Sequence, residues 1–189
     1  MEIQKINLNN IDQELISKVA SVIESGGVVV VPTDTVYGLV CDATNKEAVD
    51  RIYKIKKRDS DKPIGIFVSD IKMAKKYAKI ESDQESLLKT ANTYVLSSEG
   101  TLSFGDTLGV RLPKNKLILE LIREIGAPLA QTSANISGES STNNIKETVT
   151  FFKSQKIQPD LILDAGELPE RKASKVVDLT GDGSRIIRN

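Results

Sequence analysis

The chain has 189 residues, with 26 Lys+Arg against 26 Asp+Glu, no His, no Trp, one Cys and 4% aromatics. This is the length of one ordinary domain, enough to bury a core without disulfide or metal staples. The missing histidine excludes Ser-His-Asp and Cys-His catalysis and histidine-ligated zinc, and the lone Cys41 excludes a disulfide framework or thiolate cluster, so chemistry falls to positioning and electrostatics.

The opening MEIQKINLNNIDQEL lacks the basic and apolar regions of a signal peptide, and no later run approaches a spanning helix, so a cytoplasmic protein without a membrane partner is expected. Residues 11–24 place Ile11, Leu15, Ile16, Val19, Ala20, Val22 and Ile23 at helical spacing, with Gly26-Gly27 as the stop. Val28 to Val31, ended by Pro32, is a β-branched run without alternation, the pattern of a strand covered on both faces. The alternation continues with helices over 46–57, 70–79, 83–91, 116–125 and 145–154. Strands are expected over 64–68, 93–96, 107–112, 128–131, 160–163, 175–179 and 185–188. No Pro/Gly/Ser-rich linker or internal repeat divides this series, and it reads as one layered α/β domain over 1–189.

Charge is balanced overall but not locally. Residues 51–79 carry Arg51, Lys54, Lys56, Lys57, Arg58, Lys62, Lys72, Lys75, Lys76 and Lys79 against Asp59, Asp61 and Asp70, a net of +7. Lys72, Lys75, Lys76 and Lys79 read as a solvated helix face. Lys56, Lys57, Arg58 and Lys62 instead sit where a helix gives way to a strand, and they offer ammonium and guanidinium groups to an anion. Three more polar clusters end apolar strands: Thr33-Asp34-Thr35-Val36-Tyr37-Gly38, the lone Arg111 of GVRLP, and the loop Thr132-Ser133-Ala134-Asn135-Ile136-Ser137-Gly138 with Ser140-Ser141-Thr142. Neither a P-loop nor a dinucleotide fingerprint is present. Cations and hydroxyls gathered at strand ends point to an anionic ligand of nucleotide type.

PTDTVYGL (32–39), Lys56-x-Arg58 followed by Lys62-Pro63-Ile64, GVRLP (109–113), TSANISG (132–138) and the terminal SKVVDL with IIRN together resemble the YrdC/Sua5 family of L-threonylcarbamoyladenylate synthases, in order and spacing. The resemblance implies a single-domain three-layer α/β (α+β) fold of the YrdC/RibB-like kind, with a twisted mixed β-sheet and a positively charged concave surface. It implies a nucleotidyltransferase that condenses L-threonine, bicarbonate or CO2, and ATP with Mg2+ into threonylcarbamoyl-AMP and pyrophosphate. The product would pass to the tRNA threonylcarbamoyl-transferase complex for modification of adenosine 37.

Carried over by motif, Lys56, Arg58, Ser133 and Asn135 would grip the nucleotide phosphates, with Lys56 and Arg58 as the catalytic pair. Lys62, Thr107, Ser141 and Arg188 would join the ATP side, and Thr35, Arg111 and Ser174 would hold threonine. No metal ligand is identified. The chain departs from the family pattern at Lys62 and Phe67, where longer members often carry Asn and His. It departs also near Lys89 to Asn92, where a Pro-Gly-Pro segment is usual, and at Lys175 within the terminal Ser-x-Val. Two other readings follow from the same residues: a non-catalytic module binding tRNA or double-stranded RNA through the basic 51–79 segment, and a relative that forms a carbamoyl-adenylate.

Overall fold

The structure is a computed structural model of the chain and describes residues 1–59, 64–90, 92–138, 142–171, 174–181 and 183–188. Among them the elements run β1 (Glu2–Lys5), α1 (Gln13–Glu24), β2 (Val29–Pro32), β3 (Tyr37–Asp42), α2 (Lys46–Lys56), β4 (Gly65–Phe67), α3 (Ile71–Ala74) and α4 (Glu85–Leu88). They continue with β5 (Thr93–Ser97), β6 (Thr107–Arg111), α5 (Lys116–Ile125), β7 (Leu129–Ser133), α6 (Ile145–Lys153), β8 (Leu161–Asp164), β9 (Val176–Asp178) and β10 (Arg185–Arg188). All these strands join one mixed sheet in the order β1-β8-β2-β3-β7-β4-β6-β5-β9-β10.

Helices lie on both faces of the sheet, as the three-layer expectation requires. The run Val28 to Val31 divides by strand alternation. Val28 and Val30 pack toward α2 and α6, with Ile52, Ile55, Ile145 and Phe152. Val29 and Val31 pack toward α1 and α5, with Ile16, Val19, Ile23, Leu117, Ile118, Leu121 and Ile122. Helix α5 is capped by Asn115, whose Oδ1 accepts from the Ile118 N–H at 3.2 Å while its Nδ2 donates to the Pro32 carbonyl at 3.1 Å. The cap therefore also fixes the end of β2, from which the Thr33–Thr35 loop departs. Gly126, at φ 71, closes the helix with its N–H on the Ile122 carbonyl.

Four elements differ from expectation, and one of them, the helix expected over 83–91, forms only over Glu85–Leu88. Tyr37–Asp42, expected to begin as a loop, is a strand buried along nearly its whole length, the partner of β2 and β7. Glu2–Lys5, which shows no apolar pattern, is a strand because it pairs in parallel with β8. The helix expected over 70–79 stops at Ala74 because the chain is captured by β5. Lys79 N–H donates to the Ser97 carbonyl at 2.8 Å, Glu99 N–H to the Tyr77 carbonyl at 2.9 Å, and Ala78 bridges Ser98. These tertiary hydrogen bonds replace the helical ones.

Asp160, at the start of β8, binds three elements together. Its carboxylate accepts from Arg51 at 2.8 and 3.1 Å and from the Val28 N–H at 2.7 Å, and its carbonyl accepts from the Glu2 N–H at 2.7 Å. Burial alone would raise this acid; the Arg51 and Val28 donors outweigh it and hold Asp160 below the ordinary aspartate range. Asp160→Asn should therefore lower stability at neutral pH. The deficit should be full above the unfolded aspartate pKa of about 3.9 and should shrink as pH falls through the depressed native value. Urea midpoints compared at neutral and strongly acid pH measure this, and a deficit of the same size in strong acid contradicts it.

Candidate functional site

Strand alternation carries the α1/α5 face of the sheet beyond the helices that cover it. On β7, Leu129 lies beneath α5, whereas Gln131 and Ser133, on the same face, border an open cavity of about 460 Å³. Across the strands the register aligns Val40, Gln131, Gly65, Gly109 and Val95 in one row. The two glycines at the middle of that row leave a dip in the sheet. A Cβ on Gly65 would stand 2.9 Å from Gln131 Nε2 and 3.0 Å from the Gly109 carbonyl oxygen, so a side chain there would have to displace Gln131 and press on β6. Arg58, Arg111 and Arg188 line the cavity with Thr33, Thr35, Thr93, Ser133 and Ser174. Among the described residues no carboxylate lines it.

Arg111 is the most buried of the three arginines, at 4% exposure. Its Nη2 donates to Asp34 Oδ2 at 2.7 Å, and its guanidinium carbon lies 5.9 Å from the centre of the Phe67 ring. The ion pair is single rather than forked: Arg111 Nε and Asp34 Oδ1 are both buried without a hydrogen-bond partner. Asp34 is held at the tip of the β2–β3 hairpin, where Thr33 Oγ1 donates to the Val36 carbonyl at 2.6 Å and accepts from the Thr35 N–H at 3.1 Å. Arg171 also donates to the Asp34 carbonyl, at 3.3 Å.

The three consecutive cations at the end of α2 part company. Lys56 is 1% exposed and does not line the cavity; its Nζ donates to the Ser133 carbonyl at 2.7 Å, the Asn135 carbonyl at 2.7 Å and Asn135 Oδ1 at 3.0 Å. Burial, reinforced by the Arg58 charge, lowers its pKa to about 8. Lys57 is exposed and left-handed, at φ 49, forming the helix C-cap. That turn sends Arg58 to the cavity wall.

On the opposite wall, Arg188 donates from Nη2 and Nε to the Ser174 carbonyl at 2.8 and 3.2 Å, and Ser174 Oγ lies 3.1 Å from Thr93 Oγ1. Burial and then the nearby Arg111 charge lower the Arg188 pKa from its ordinary value. Tyr37 borders the same space, with its hydroxyl donating to the Gly166 carbonyl at 2.7 Å and accepting from the Ala165 N–H at 3.1 Å; burial pushes it up to about 12.

The structure thus brings Arg58, Ser133 and Arg188 from the expected ATP side together with all three residues of the expected threonine side, Thr35, Arg111 and Ser174. It does not bring Lys56 or Asn135 to the cavity wall. Thr107 shares the sheet face of Gly109 and Arg111 but lies outside the lining. Lys62 and Ser141 lie outside the described residues. Lys72, Lys75, Lys76 and Lys79 are exposed, and Lys75 pairs with Glu85 at 2.6 Å. Sequence reasoning missed Gln131 and Thr93, which period-two spacing from Leu129 and Val95 would have found. It also missed the burial of Lys56, although that residue falls four after Ile52 and seven after Val49 on the apolar stripe of α2.

The family model of Sua5, YciO and YrdC proteins, described as telomere recombination, matches residues 21–189. The chain belongs to this Sua5/YciO/YrdC family. It is 33% identical over 175 residues to the threonylcarbamoyl-AMP synthase of Bos taurus, covering 85% of this chain and 62% of that one. The crystal structure of P. abyssi Sua5 complexed with L-threonine is similar at a TM-score of 0.88 and 30% identity, over 99% of this chain and 56% of that one. The crystal structure of E. coli YciO is similar at 0.88 and 26% identity, over 100% and 95% of the two chains. The chain therefore spans about three fifths of the synthases it matches and nearly the full length of YciO.

Family membership directs attention to a metal, and the wall offers no cage for one. Among the described residues no group of three or more His, Cys, Asp or Glu side chains is placed to hold an ion. The cavity supplies hydroxyls without the carboxylates that Mg2+ favours.

The single, buried pair of Arg111 and Asp34, at 4% and 12% side-chain exposure, makes the wall sensitive to loss of one partner. Arg111→Met should destabilise the chain by about 3–5 kcal/mol, because it leaves the Asp34 carboxylate buried and uncompensated. Adding Asp34→Asn should recover part of that loss. Denaturant unfolding of the two single variants and the double variant measures the coupling, and a loss below about 1 kcal/mol for Arg111→Met contradicts it.

Proposed function

We propose that this chain joins L-threonine, bicarbonate or CO2, and ATP into threonylcarbamoyl-AMP with release of pyrophosphate. The carrying observation is the convergence of Arg58, Arg111 and Arg188 on one hydroxyl-lined cavity without a carboxylate among its described lining residues. Family membership and the likeness to a Sua5 complexed with L-threonine support the substrate.

In this reading Arg111 takes the threonine carboxylate, because it lines the cavity and a planar guanidinium matches two oxygens. Thr35 and Ser174 flank that position. Arg58, Ser133 and Arg188 face the nucleotide phosphates. The threonine amine adds to CO2 and gives up a proton, or adds to bicarbonate and releases water, to form a carbamate, and a carbamate oxygen then attacks the α-phosphorus in line. The new P–O bond forms as the bond from the α-phosphorus to the bridging oxygen breaks, and its electron pair leaves on pyrophosphate. Carbamate and triphosphate repel one another, so the protein's contribution is a fixed field of positive charge in a partly enclosed space. Mg2+ enters on the nucleotide phosphates as part of the substrate. The nucleophile arrives charged, which is why a chain without histidine can support the step. The reading places the protein in the cytosol and its product upstream of a tRNA threonylcarbamoyl-transferase.

Pyrophosphate release should require ATP, threonine and bicarbonate together, with the adenylate identified by mass. Turnover indifferent to threonine overturns the reading, and turnover with carbamoyl phosphate in its place points to the carbamoyl-adenylate alternative. Arg58→Ala should lower kcat/KM for ATP by about 10²–10³, as removal of one preorganised charge-stabilising donor does, while leaving the thermal midpoint close to that of the native chain.

A further inference from the structure

The most deeply buried cation beside the cavity, Lys56 at 1% exposure, is the one that does not face it. We propose that Lys56 is a positioning residue whose buried ammonium holds the Ser133–Ser137 turn against the end of α2 and contacts no substrate itself. The inference rests on the synthase reading only for the identity of the ligand that Ser133 meets.

An ammonium has three N–H donors, and at Lys56 they meet three oxygens: the Ser133 carbonyl at 2.7 Å, the Asn135 carbonyl at 2.7 Å and Asn135 Oδ1 at 3.0 Å. The main chain adds a fourth link, the Ser137 N–H donating to the Lys56 carbonyl at 3.0 Å. Asn135 Oδ1 also accepts from Ser133 Oγ at 2.6 Å, so one side-chain oxygen joins the lysine to the hydroxyl that lines the cavity. A lysine meant for phosphate would keep donors free at a solvent-reached tip, whereas this one is 1% exposed.

Placement along α2 explains the difference. Lys56 continues the buried stripe of Val49, Ile52 and Ile55, and the left-handed Lys57 then turns the chain so that Arg58 alone reaches the cavity. The Lys-x-Arg pair thus divides its work: the lysine shapes the wall and the arginine meets the ligand. Burial and the Arg58 charge push the ammonium down to about 8, and the three oxygens around Nζ are the groups that favour its charged form.

Reductive methylation of the native chain, read by peptide mass spectrometry with and without ATP, tests this directly. Lys56 should stay unmodified in both conditions while exposed lysines such as Lys72 and Lys76 react, and unfolding in guanidinium should expose it. Methylation of Lys56 in the free protein with protection by ATP overturns the proposal. Lys56→Met should raise hydrogen exchange at least tenfold in the 132–138 segment while leaving β2 and β3 within twofold. A uniform rise across all segments would mark a merely structural residue and also overturn it. In turnover, folded Lys56→Met should lose at least tenfold in kcat with the KM for threonine within twofold, and an unchanged kcat contradicts the proposal. The methylation and exchange measurements need no activity, so failure of the synthase reading leaves them decisive.

Discussion

Two helices cannot cover one face of a sheet this wide. Ten strands spaced about 4.8 Å apart span roughly 45 Å, while α1 and α5, each about 10 Å across, cover less than half of that width. The covered part, over β8, β2, β3 and β7, holds Val29, Val31, Val40, Leu129 and Leu161 in a core. The uncovered part, over β6, β5 and the ends of β4 and β7, mixes apolar Val95 and Val176 with polar groups. Its polar residues are Gln131, Ser133, Thr93 and Arg111, with Gly65 and Gly109 hollowing its centre. One alternation along β7 therefore builds core at Leu129 and site at Ser133, and a one-residue slip in register would turn both to the opposite face of the sheet.

Charge in this open half is arranged by burial as much as by composition. The chain is electroneutral, yet its cavity gathers Arg58, Arg111 and Arg188, and Arg111 and Arg188 lie close enough for the charge of one to depress the other. Such a group of cations is unfavourable alone and favourable around an anion. The protein holds two of the guanidinium groups by contacts, Arg111 on Asp34 and Phe67 and Arg188 on Ser174, and brings Arg58 to the wall beyond a left-handed cap. Lys56 removes a fourth charge from the cavity and uses it to brace the wall.

Much of this was legible in the sequence where local and tertiary signals agree. The helix expected over 116–125 forms at those bounds, where its apolar stripe, the Asn115 cap and the Gly126 stop coincide. Strand β3 was hidden because the turn-forming Thr33, Thr35 and Gly38 overlap the start of its apolar run, and Gly38 serves the pairing with Ser133 rather than a turn. The helix over 70–79 read too long because pairing of Ala78 and Lys79 with β5 is a long-range event that no local pattern records. For the site, the arginines and hydroxyls at strand ends were found as residues, but the split between Lys56 and Arg58 depends on one left-handed backbone at Lys57, a non-glycine whose conformation its residue type does not announce.

The most direct measurement is a crystal structure of the chain with threonine and a non-hydrolysable ATP analogue. The account predicts the threonine carboxylate on Arg111, the phosphates between Arg58 and Arg188, and Lys56 Nζ still on the Ser133 and Asn135 carbonyls. A Lys56 ammonium withdrawn from that turn onto a phosphate, or ligands seated away from the three arginines, would contradict it.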